Sequence, residues 1–85
     1  MLDDHASATA ILTLSGQIKP LLAGKSPDVQ GGVLADLLSI WLAGHFVPDD
    51  REATDALRRV MLDLHIATVL ELVPDSENEI FGRKP

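Results

Sequence analysis

Three histidines, His5, His45 and His65, are the side chains of this 85-residue chain best suited to hold a metal ion or pass a proton. Their spacing frames neither role. No two stand three or four positions apart, the interval that sets two ligands on one helix face, and no HExxH run occurs. Asp63 and His65 are two apart and point to different sides of a helix. The serines Ser7, Ser15, Ser26, Ser39 and Ser76 sit in no GxSxG elbow, and no GxGxxG run or P-loop lies between a strand and a helix. Gly31-Gly32 falls within a helix and lacks the lysine-serine partner of a phosphate loop. The sequence therefore shows no catalytic motif, no metal set and no cofactor motif. One grouping remains as an alternative site: Trp41, His45 and His65, lining a pocket between helices for a small molecule or a metal. Adding Asp49 or Asp50 to it requires the loop after Gly44 to fold over the last helix. Trp41, the single tryptophan, otherwise reads as an anchor of the core.

Three helices have to position these residues, and each is marked by apolar periodicity and by punctuation at its ends. The first is expected over about 6–23, with Ile11, Leu14, Ile18, Leu21 and Leu22 on one face. Pro20 lies inside it and should kink rather than break it. The residue its ring would crowd is Gly16, whose backbone yields most easily. If the kink is a stop, 6–16 and 20–24 are separate short elements. Gly24 closes the helix, and Ser26-Pro27-Asp28 opens the next over 27–43: a capping hydroxyl, a proline at the first position and a carboxylate at the positive end of the dipole. Gly44 is its expected terminator. Pro48 then interrupts, Asp49-Asp50-Arg51-Glu52 supplies an acidic cap, and the third helix is expected over 50–73 with Pro74 ending it. Residues 75–85 read as a flexible or loosely docked tail in which Ser76 and Glu79 can cap one short turn. No segment alternates as a strand does, so the expected fold is all-α, a small antiparallel three-helix bundle.

The faces of these helices carry the functional information. The second helix is apolar nearly all round, and Gly31, Ala35, Ser39 and Ala43 form a stripe of small residues along which another helix can approach. On the third, Arg51, Asp55, Arg59 and Asp63 make a solvated ladder of alternating charge. The core stripe is expected opposite, on Ala53, Ala56, Leu57, Val60, Met61 and Leu64. Past Asp63 the ladder direction turns apolar through Ile66, Val69, Leu70 and Val73, with Leu62 beside it, while Glu71 points back toward the core stripe. A bundle this small has little left to cover that patch unless the tail folds back with Ile80 and Phe81. Exposed contiguous apolar surface marks a contact site, so the expectation is a homodimer through Leu62, Ile66, Val69, Leu70 and Val73.

Composition limits the other classes. Hydrophobic residues make up 46% of the chain and charged ones 24%, a globular balance. Thirteen acidic against seven basic side chains give a net charge of -6, which repels phosphate backbones and argues against nucleic acid. The most apolar stretch, 29–48, carries Gln30, Asp36, Ser39 and His45, so no membrane span is expected. Met1-Leu2-Asp3-Asp4-His5 is acidic where a secretory signal is basic, and the chain has no cysteine. Both point to a cytoplasmic setting. The reading that results is a non-catalytic, self-associating helical module, an adaptor or regulator whose assembled surface or acidic outer face contacts another protein.

Overall fold

The computed structural model describes residues 4–82, and within them the chain forms three helices and no strand. These are α1 (Asp4–Leu22), α2 (Pro27–Ala43) and α3 (Arg51–Phe81). The all-α class read from the periodicity is the class observed. The expectations for Met1-Leu2-Asp3 and for Arg83-Lys84-Pro85 lie outside the described residues. The chain divides inside α2 into two units, Met1–Asp36 and Leu37–Pro85.

In the first unit, α1 starts at Asp4, whose carboxylate suits the positive end of the helix, and runs through Pro20 without a break. The alternative of two short elements is not what forms. Pro20 forfeits one bond close to the C-terminal end, and no side chain on Gly16 stands in the way of its ring. Beyond Leu22 the chain closes with Ala23 N–H donating to the Lys19 carbonyl at 3.1 Å. Gly24 takes φ 77°, the left-handed conformation that reverses direction there. Ser26 caps α2 as its type predicts: its Oγ accepts from Val29 N–H at 3.3 Å and its carbonyl from Gln30 N–H at 2.9 Å. Gln30 also reaches back, its Nε2 donating to the Leu22 carbonyl at 2.9 Å and tying the start of α2 to the end of α1.

Gly31, Ala35, Ser39 and Ala43 are exposed, and a Cβ added at Gly31 or Gly32 would meet nothing within 4 Å. No packing contact accounts for the two glycines.

In the second unit, α2 ends at Ala43 as expected, but Gly44 does not use a positive φ to end it. Gly44 N–H bonds to the Ile40 carbonyl at 3.0 Å and His45 N–H to the Leu42 carbonyl at 3.1 Å. The connector turns at Val47-Pro48-Asp49-Asp50, with Asp50 N–H donating to the Val47 carbonyl at 3.2 Å. Proline second and a positive φ third (Asp49, 58°) are the marks of a type II turn, and aspartate tolerates that conformation better than most residues with a Cβ. Asp50 then caps α3, its Oδ1 accepting from Ala53 N–H at 2.9 Å.

Two features of α3 differ from the expectation. Pro74 does not end it: the helix continues to Phe81, so residues 75–81, expected as a tail with a short turn, belong to the same helix. A proline removes only the bond from its own nitrogen, whereas extending an existing helix beyond it avoids the cost of a new nucleus. The stop comes at the next glycine, Gly82, with φ 62° and its N–H on the Asn78 carbonyl at 2.9 Å. The covered side of α3 is also rotated from the expected core stripe. Leu57, Val60 and Leu64 are exposed, while Thr54, Arg58, Met61 and Leu62 are buried or half-buried. Among the described residues no apolar side chain is buried, and the one buried residue is Thr54, 5% exposed.

Candidate functional site

The residues that fix the second unit are two polar ones that the sequence reading did not single out. Thr54 Oγ1 accepts from Val47 N–H at 2.9 Å and donates to the Val47 carbonyl at 3.1 Å, pairing both backbone groups of one connector residue. Arg58 covers the end of α2. Its Nε donates to the carbonyls of Leu42 and His45, each at 3.0 Å, and its Nη2 donates to the Ala43 carbonyl at 2.9 Å. The last carbonyls of a helix have no intrahelical donor and carry its negative end, so a guanidinium is well matched to them in both geometry and charge. The signal for this was spacing. Arg58 stands one position off the ladder, and Thr54, Arg58, Leu62 and His65 recur at intervals of four, four and three along one side of α3.

The ladder itself forms as expected, with Arg51–Asp55 at 3.1 Å and Arg59–Asp63 at 3.2 Å, all four side chains mostly exposed. Such pairs contribute about 0.3–0.5 kcal/mol each and leave Arg59 and Asp63 easy to re-pair.

Trp41, His45 and His65 come together around the indole. The Trp41 and His45 rings lie 5.8 Å apart, centre to centre, and edge-on, and those of Trp41 and His65 lie 5.4 Å apart and tilted. His45 Nδ1 is 2.7 Å from the Trp41 carbonyl. A carbonyl only accepts, so Nδ1 is the donor, and in the neutral ring Nε2 is then the acceptor. Asp49 and Asp50 do not join the cluster, being committed to the turn and to the α3 cap. Among the described residues no group of three or more His, Asp or Glu side chains is placed to hold a metal ion.

The apolar residues proposed for an interface stand open. Ile66 is 48% exposed, Val69 44%, Leu70 67% and Val73 42%. Leu62, at the border with the Arg58 side, is half-buried. Because residues 75–81 continue α3, Ile80 and Phe81 extend along its axis instead of folding back over the patch, and both are exposed. Thr68 Oγ1, on the opposite side of the helix from the patch, donates to the Leu64 carbonyl at 3.0 Å. No described helix is long and apolar enough to cross a membrane. No family model, no curated protein and no solved structure matches the chain.

Proposed function

We propose that the chain is a non-catalytic association module that pairs with a second copy of itself through the C-terminal half of α3, and that the pair serves as an adaptor or regulator. The observation that supports this is the run of Ile66, Val69, Leu70 and Val73, open to water on a helix whose own extension past Pro74 carries away the residues that would have covered them. Each half-exposed aliphatic side chain gains about 25 cal/mol for every Å² it removes from water, and a two-fold contact doubles that gain with one set of residues. A chain with no cysteine suits a reducing, cytoplasmic compartment, and its net charge of -6 disfavours nucleic acid as a partner.

Light scattering of the purified chain tests this reading. A dimer is expected, and the double variant Ile66→Asp with Val69→Asp should run as a monomer with most of its helical circular dichroism intact. A wild-type chain that stays monomeric at high concentration removes the proposal; a double variant that loses its helicity assigns these residues to the monomer's own stability instead.

A second reading draws on the Trp41, His45 and His65 cluster, whose convergence of two imidazoles on one indole suits a small ligand or a metal. Two imidazoles fall short of the three or four protein ligands of a zinc site, so this reading ranks below the first. A thermal-shift screen with divalent metals supports it if one ion stabilises the wild type and not His45→Ala or His65→Ala.

A further inference from the structure

We infer that the two copies pair antiparallel along α3, crossing at the level of Thr68, with Arg59 of each chain against the partner's Glu77. This rests on the dimer reading above and adds its orientation and register. Charge along α3 is divided unevenly. Residues 51–65 carry Arg51, Arg58 and Arg59 against Glu52, Asp55 and Asp63, a balance of three and three. Residues 66–82 carry Glu71, Asp75, Glu77 and Glu79 and no cation. A parallel pair lays these two acidic halves, and the two negative helix ends, side by side. An antiparallel pair lays each acidic half along the partner's balanced half and sets opposite helix ends together.

Charge also selects the register. On a helix, Arg59, Ile66, Val73 and Glu77 fall within a narrow band of direction, flanked by Leu62, Val69 and Leu70. If the two-fold axis passed through Ile66, Asp55 would face the partner's Glu77 and Arg59 would face the partner's Val73. Two like charges would then meet. Moving the axis to the level of Thr68 sets Ile66 against the partner's Leu70 and Arg59 against the partner's Glu77. Both contacts are then complementary, and each occurs twice. Arg59 is available for this because its Asp63 pair is exposed, and Glu77 is exposed as well.

The absence of cysteine makes the test clean, since every thiol is an introduced one. Arg59→Cys, Glu77→Cys and the double variant are each first sized by light scattering and then treated with a short bifunctional maleimide. Positions 59 and 77 lie about 27 Å apart along one helix, too far to be bridged within a chain. The expected result is a covalent dimer from the double variant and little from either single variant. Efficient cross-linking of Arg59→Cys or Glu77→Cys alone shows equal residues meeting, which overturns the antiparallel pairing while leaving the dimer reading standing. Dimers with no cross-link in any variant overturn the register, and monomers throughout remove the dimer itself. As a second readout, Arg59→Glu and Glu77→Arg should each weaken the dimer by roughly tenfold, and the two together should restore it. A combined variant as weak as either single one counts against the pair.

Discussion

Replacing Arg58 by alanine removes the side-chain donor to three carbonyls at the end of α2, and the loss can be worked from the contacts. Three carbonyls, those of Leu42, Ala43 and His45, lose a charged partner. Charge-assisted hydrogen bonds contribute about 1.5–3 kcal/mol each when shielded from water. Here Nε is shared between two acceptors, and the bonds to Ala43 and His45 lie at exposed positions, where water replaces most of what is lost. Counting the part-buried bond to Leu42 at about 1.5 kcal/mol and the cation at the helix end at about 0.5 kcal/mol gives an expected loss of about 2 kcal/mol. Urea unfolding followed by Trp41 emission and far-ultraviolet circular dichroism measures it, at one fixed protein concentration because association adds to apparent stability. With a urea slope of about 1 kcal/mol per molar for a chain of this size, the midpoint should fall by about 2 M. Arg58→Lys separates the two contributions: a point charge keeps the dipole share and cannot bridge three carbonyls, so it should recover only about 0.5 kcal/mol. An unchanged midpoint for Arg58→Ala, or a lysine variant equal to wild type, would refute the view that the guanidinium fork holds α2 to α3.

Two further substitutions probe the elements around this clip. Thr54→Val keeps the shape and removes the hydroxyl that serves Val47 N–H and C=O, so it should destabilise by about 1–2 kcal/mol while Thr54→Ser stays near wild type in the same urea assay. Gly31→Ala and Gly32→Ala add a methyl group into open space on α2 and should each raise stability by about 0.8–1 kcal/mol, read as a higher thermal midpoint. A lowered midpoint together with a weaker dimer would mean that a second chain packs along the Gly31, Ala35, Ser39 and Ala43 stripe instead.

Local chemistry was legible in the sequence wherever a few neighbouring residues decide the outcome. Ser26-Pro27 starting α2, Gly24 reversing the chain, Asp50 capping α3 and the Arg51–Asp55 and Arg59–Asp63 ladder each depend on atoms within four positions, and all take the form their residue types dictate. The apolar turn of α3 from Ile66 to Val73 was legible for the same reason, since helical spacing alone puts those side chains on one side. Pro74 marks the limit of that reading. A proline is a stop signal only when nothing downstream favours more helix, and here the next glycine is eight residues on, so α3 extends to Phe81 and its far end leaves the patch open.

What tertiary structure decided was which side of α3 is covered. Apolar content favoured the side of Leu57, Val60 and Leu64, yet Thr54 and Arg58 lie on the covered side because the end of α2 and the connector present backbone carbonyls that need donors. That requirement arises only once two segments meet, and no periodicity within either one contains it. The gathering of His45 and His65 around Trp41 has the same origin. His45 is placed by the carbonyl of its own helix end, and His65 by the rotation of α3 that Arg58 fixes.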